Sequence, residues 1–183
     1  LTGRDLTPDQ LFDAVASLHH RVQGSYAAIA LIAGHGMLAF RDPYGIRPLI
    51  LGRRLSEKGR EEWIVASESL VIENSGYEIV RDVDPGEAVF IDVDSNLHQR
   101  QCAESPRLIP CAFEYVYLAR PDSVMNGISV YESRLRMGDR LAQTIAETLP
   151  AGDIDVVMPI PDSARPSAMQ VAKQLGLEYR EGF

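Results

Sequence analysis

At 183 residues, 45% apolar and 24% charged, the chain has the balance of a globular protein of one domain or two small ones. No apolar run approaches the roughly 18 residues needed to cross a bilayer as a helix, and a formal charge of -8 argues against nucleic acid or an anionic membrane as partner. Two cysteines without a signal-peptide pattern point to reduced, cytoplasmic surroundings.

Thr7, Pro8 and Gln10 predict a helix start with a capping box, followed by an apolar stripe of Leu11, Val15, Leu18 and Val22. His19 and His20 near its end read as solvent-facing, with no partner ligands for a metal. A strand from Ser25 to Ala33, a turn at Gly34-His35-Gly36 and a strand from Met37 to Phe40 read as a hairpin. Ile46 to Leu51 resumes strand character, with Pro48 implying an edge or a bulge. Arg53 to Glu62 reads as a charged loop, Trp63 to Ala66 as a strand, and Ser67 to Ser69 leads into a short helical turn. Tyr77 to Val83 and Ala88 to Val93 read as a hairpin about Asp84-Pro85-Gly86-Glu87, followed by a strand from Leu97 to Cys102. Ala103 to Pro110 reads as a linker.

The period of the pattern then changes. Phe113 to Ser123, FEYVYLARPDS, reads as a half-buried strand with Phe113, Tyr115 and Tyr117 along one face, ending in a turn after Pro121. Ser129 and Glu132 predict a capped helix of about five turns, carried by Leu135, Arg136, Leu141, Ile145 and Leu149 and stopped at Pro150. Asp155 to Ile160 reads as a strand buried on both faces. A helix from about Arg165 to Leu175 with Gly176 beyond its end, then a strand beginning at Leu177, complete an α/β alternation. The chain starts at Leu1 and stops at Phe183 inside that strand, so it reads as part of a longer protein.

Two loops are candidates for chemistry. Arg41 to Arg47 packs two arginines and an aspartate into a turn, either as an Arg–Asp pair stabilising the hairpin or as a clamp for a substrate carboxylate. Pro159 to Ala164 lies at the carboxyl end of a parallel-type strand, just before a helix, where amides and the helix dipole favour an anion such as phosphate. Asp162 and Ser163 supply oxygens for a metal or for helix capping, and Arg165 adds positive charge. Cys102 and Cys111 do not have zinc spacing and read as ordinary thiols.

GSYAAIALIAGHGMLAFRDPYGIRPLILG, WIVASES, DVDPGEAVFI, RQCAESP, PCAFEYVYLARPDS and DVVMPIPDSA, taken together, resemble the amidophosphoribosyltransferase family from about Val22 to Phe183. The RDPxGxRPL pattern is shared more loosely with other class II glutamine amidotransferases, whereas FEYVYxARPDS and PIPDS are more specific.

The resemblance implies an α+β N-terminal-nucleophile (class II glutamine amidotransferase) part followed by an α/β type I phosphoribosyltransferase part. Residues 1-110 match the C-terminal portion of the glutaminase domain and residues 111-183 the N-terminal portion of the phosphoribosyltransferase domain. It implies ammonia transfer from glutamine to phosphoribosylpyrophosphate in the first step of purine synthesis, with Mg²⁺ as cofactor. It further implies purine nucleotides as feedback inhibitors and a homo-oligomer. The matching positions make Pro161, Asp162, Ser163 and Ala164 the pyrophosphate-side loop, Ser163 the magnesium-associated residue, and Phe113 and Tyr117 the wall of an ammonia channel. No catalytic residue is assigned, because the family's nucleophilic cysteine matches no position here, and the chain by itself is expected to be inactive. Cys111 matches an iron–sulfur ligand of some members, but RQCAESP resembles the cluster-free branch and no cluster is expected. The other readings are a different class II amidotransferase, against which PIPDS counts, and a non-catalytic homologue that keeps the fold as a scaffold.

Overall fold

The structure is a computed structural model and describes residues 6–150 and 152–182. Phe183, where the last expected strand ends, and Leu1 lie outside the described residues. The chain divides into two compact units, one through Cys111 and one from Ala112.

In the first unit α1 (Pro8–Arg21) begins with the capping box expected of it: Thr7 accepts from the Gln10 amide while the Gln10 side chain accepts from the Thr7 amide. β1 (Ala27–Ile32), β2 (Gly36–Arg41), β6 (Glu87–Asp92) and β7 (Leu97–Gln101) form an antiparallel sheet in the order β1-β2-β6-β7. β3 (Ile50–Leu55), β4 (Glu61–Ala66) and β5 (Glu78–Asp82) form a second, ordered β4-β3-β5. Alternation along β2 and β6 explains the layering, because successive side chains point to opposite faces. Leu38, Phe40, Ala88 and Phe90 meet Leu11, Phe12 and Val15 of α1. Ala39 and Val89 turn the other way, to Leu49, Leu51 and Val83 and to Trp63 and Val65 of the second sheet. Gly52, one residue on from Leu51, lies directly under Ile72 of α2 (Ser69–Asn74). The layers are therefore helix, sheet, sheet, helix.

Four expectations for this unit need correction. The strand expected from Ile46 starts only at Ile50, so Pro48 precedes it and β3 is a central strand. Arg53 to Leu55 and Glu61 to Glu62 extend β3 and β4, with Arg53–Glu61 and Arg54–Glu62 ion pairs across the ladder, so the charged loop shrinks to Ser56 to Arg60. The hairpin about Asp84-Pro85-Gly86-Glu87 does not form, because β5 pairs with β3 and β6 with β2 and β7. The turn carries the chain from one sheet to the other, and Glu87 holds it with a bidentate bond from Arg81 and a bond from the Asp84 amide. His19 is half-buried rather than solvent-facing: it bonds the Tyr26 hydroxyl at 2.6 Å and the Gly86 carbonyl at 3.2 Å. Burial lowers its pKa.

The expected linker runs back along the 43–46 turn, where the Arg107, Ile109 and Cys111 amides donate to the Pro43, Tyr44 and Ile46 carbonyls. Cys102 and Cys111 are free thiols, and burial raises the pKa of Cys102.

The second unit is built on α3 (Val130–Thr148) and α4 (Arg165–Leu175). Ser129 caps α3 by accepting from the Glu132 amide, and Gly176 ends α4 in the left-handed conformation expected of it. The buried face of α3 is Val130, Arg134, Gly138 and Ala142, four residues apart, rather than the leucine stripe; Leu141 is exposed. Gly138 sets the helix crossing, since a Cβ there would lie 2.6 Å from the Ser167 carbonyl oxygen. β8 (Val124–Met125) and β9 (Ile128–Ser129) form a small hairpin before α3. β10 (Val156–Val157) and β11 (Glu178–Tyr179) pair in parallel, joined through α4.

Candidate functional site

β10 is short, and the run expected to be buried on both faces is open: Ile160 is 68% exposed, although Pro159 is buried. Among the described residues only β11 pairs with β10, so the sheet is too narrow to cover the run. The chain leaves β10 through Met158, Pro159 and Ile160, turns at 161–164 and enters α4 at Arg165. The Pro161–Asp162 peptide is cis. Pro161, Asp162, Ser163 and Ala164 thus form one surface turn at the amino end of α4.

Local chemistry sets the character of this turn. The helix N-cap is Ala164, whose side chain carries no acceptor, so helix capping by Asp162 or Ser163 does not occur. An uncapped helix start leaves amides and the positive end of the dipole turned to whatever binds. Asp162 faces Arg165 at 2.6 Å, and Arg165 also reaches Glu181 at 3.2 Å. The hydrogen bond to Glu181 and the Asp162 charge hold the Arg165 pKa up. The positive charge expected of Arg165 is therefore already balanced by two carboxylates.

FEYVYLARPDS is not a strand. Glu114–Leu118 is one π-helical turn, with Phe113 helical and Ala119 returning to extended backbone. The three aromatics consequently do not share a face. Tyr115 is buried and donates from its hydroxyl to the Met125 carbonyl at 3.2 Å. Phe113 and Tyr117, one helical turn apart, are 55% and 60% exposed, and their ring centroids lie 5.3 Å apart. The chain needs no strand partner here because Arg134, buried in α3, donates to the Tyr115 and Ala119 carbonyls at 2.9 and 2.7 Å. Sequence reasoning overlooked Arg134, since an arginine on a helix reads as surface; its one signal is the four-residue spacing with Val130, Gly138 and Ala142.

The other candidate loop turns inward. Arg41 and Asp42 are 1% and 0% exposed. Arg41 donates to the Arg47, Val83 and Gly45 carbonyls at 2.7 to 2.8 Å. Asp42 accepts from the Tyr44, Ile46 and Arg47 amides at 3.0 to 3.2 Å. These groups are committed to the backbone, which removes the clamp for a substrate carboxylate. A surface cleft of about 660 Å³ lies along Arg54 to Glu62, where Arg54 and Glu62 pair with each other, and it touches neither loop. Among the described residues no three His, Cys, Asp or Glu side chains cluster as a metal site.

No family model matches the chain. The chain is 51% identical over 177 residues to the amidophosphoribosyltransferase of Pseudomonas aeruginosa and 49% identical over 178 residues to that of Escherichia coli, each match covering 97% of this chain and 35% of the relative. It thus spans about a third of the length of these curated relatives. Among solved structures it is similar to the glutamine phosphoribosylpyrophosphate amidotransferase of B. subtilis complexed with ADP and GMP. That match has a TM-score of 0.79 and 30% identity, covering 99% of this chain and 36% of that one. About half of the chain's residues, across nearly its whole length, are shared with about a third of these amidophosphoribosyltransferases, and it follows the same backbone course as the similar solved enzyme.

Proposed function

We propose that the protein carrying this chain releases ammonia from glutamine and transfers it to phosphoribosylpyrophosphate, giving 5-phosphoribosylamine and pyrophosphate at the start of purine synthesis. The observation that carries the proposal is the 51% identity over 97% of the chain to an amidophosphoribosyltransferase. The layered helix–sheet–sheet–helix unit supports reading residues 1-110 as part of an N-terminal-nucleophile glutaminase. The parallel β10-α4-β11 arrangement supports reading residues 111-183 as part of a type I phosphoribosyltransferase. Similarity to an enzyme complexed with ADP and GMP supports purine nucleotides as regulatory ligands. A homo-oligomer and a cytoplasmic location complete the proposal, the latter supported by composition.

In the transferase reaction the ammonia nitrogen forms a bond to the anomeric carbon as the bond from that carbon to the pyrophosphate oxygen breaks. Negative charge builds on the leaving group, so the enzyme's task is to meet that charge. The turn of Pro161, Asp162, Ser163 and Ala164 would do so chiefly with the Asp162, Ser163 and Ala164 amides just ahead of α4, since Arg165 is occupied by Asp162 and Glu181. One carboxylate and one hydroxyl, Asp162 and Ser163, are a small donor set, which suits Mg²⁺ that arrives with substrate phosphates rather than in a protein cage. Mg²⁺ bound there, with Ser163 beside it, would neutralise part of the pyrophosphate charge. Phe113 and Tyr117 would line the path of ammonia with apolar surface that keeps water out.

Ser163→Ala in the whole enzyme tests the assignment. It should weaken Mg²⁺-dependent use of phosphoribosylpyrophosphate in steady-state kinetics and spare glutamine hydrolysis. Equal loss in both half-reactions would remove Ser163 from this role.

A further inference from the structure

Arg134 is a permanent charge held where water cannot reach it, 2% exposed within α3. Burying a guanidinium is costly unless its donors are met, and two of its nitrogens here donate to a single segment. Nε donates to the Tyr115 carbonyl and Nη2 to the Ala119 carbonyl, which bracket the C-terminal part of the π-helical turn. A helical turn leaves its last carbonyls without partners inside the helix, and a planar fork that reaches two of them fixes both position and orientation.

The same segment is pinned from its other side by Tyr115, whose hydroxyl donates to the Met125 carbonyl and accepts from the Asn126 side-chain amide. The result is a turn fastened through its inward residues and presenting outward the Phe113–Tyr117 ring pair, with neighbouring Val116 and Leu118 also exposed. The two rings lie 36° from parallel, so their common surface depends on the orientation of the turn beneath them.

We infer that Arg134 is a positioning residue for ammonia transfer, setting the Phe113–Tyr117 ring pair by holding the Tyr115 and Ala119 carbonyls. The inference rests on the reading of that ring pair as a wall of the ammonia path. Neutral ammonia that meets water is protonated near neutral pH, and ammonium is not a nucleophile. A wall that moves therefore wastes ammonia without touching either reacting centre.

The test is Arg134→Met in the whole enzyme, compared with Arg134→Lys and Tyr117→Ala. Three rates are measured: glutamine hydrolysis, phosphoribosylamine formation from added ammonium, and phosphoribosylamine formation from glutamine. Arg134→Met should lower the product formed per glutamine hydrolysed by about tenfold, the scale on which small misplacements cost rate. Free ammonia should appear in the medium, and hydrogen exchange at residues 114–119 should quicken. Arg134→Lys keeps the charge and most of the volume but cannot bridge two carbonyls as a fork, so it should recover part of the coupling. A proportional fall in all three rates would make Arg134 merely structural and overturn the inference. Unchanged coupling in Arg134→Met, with Tyr117→Ala uncoupled, would overturn it while leaving the path intact. Coupling unchanged in Tyr117→Ala would instead defeat the reading of the ring pair. If Arg134→Met does not fold, the Arg134→Lys ratio decides alone, and full coupling there overturns the inference.

Discussion

Two turns of this chain have similar ingredients and opposite fates. Arg41 to Arg47 and Pro161 to Arg165 each combine arginine, aspartate and proline in a few residues. In the first, Arg41 reaches three carbonyls and Asp42 at least three amides, and both side chains are sealed from solvent. In the second, Asp162 and Arg165 pair on the surface and the first amides of α4 have no side-chain cap. A charge spent on its own backbone is scaffold. A charge paired in water above an uncapped helix start can be exchanged for a ligand at little cost.

The sharpest way to break that contrast is Asp42→Ala. It strands several inward-facing donors at once, each costing about 1 to 3 kcal/mol, so chemical denaturation should show a loss of about 3 kcal/mol or more. A loss below about 1 kcal/mol would mean that water or a rearranged turn replaces the carboxylate, and the inward turn would no longer differ in kind from the outward one. The matching change on the surface is Asp162→Asn. It removes an exposed ion pair of the kind that adds little to stability, so the denaturation midpoint should stay where it is. A clear drop would show that the Asp162–Arg165 pair organises the turn, and that the turn is scaffold after all.

Local chemistry was readable where a residue type acts on its own neighbours. Thr7 and Gln10, Ser129, and Gly176 each mark a helix end through bonds within a few residues, and each does so in the structure. What could not be read depends on distant partners. Tyr77 to Val83 and Ala88 to Val93 flank a good turn sequence, yet their ladders lie in different sheets, which no spacing reveals. Phe113 to Tyr117 has strand-like alternation, but the buried Arg134, in the second turn of α3, satisfies the carbonyls of a helical turn instead. The position of the Pro161 to Ala164 turn was legible from the apolar run before it and the helix after it. The neutralisation of Arg165 was not, because Glu181 arrives from beyond α4 and β11.

A third turn lies between the two extremes. Asp92 ends β6 at the surface, yet its carboxylate is met like that of Asp42. It accepts from the Asp94 and Asn96 amides at 2.9 Å and from His98 at 3.0 Å, with Ser95 in the left-handed conformation between them. The bond from His98, followed by those from Asn96 and Asp94, lowers the Asp92 pKa to about 2. A folded-state pKa below the unfolded one stabilises above the unfolded value and stops doing so as pH falls through the folded value. The contribution of Asp92 should therefore be complete at neutral pH and fade from about pH 4 down to pH 2. Side-chain carboxyl titration by NMR should place the Asp92 midpoint near 2, and His98→Ala should move it up towards the ordinary value of about 4. Solvent screens this partly exposed site, so the change in melting temperature should be far smaller than for Asp42→Ala. An Asp92 midpoint near about 4 with His98 in place would show that the turn is held by its backbone alone, and that only the buried Asp42 turn depends on its carboxylate.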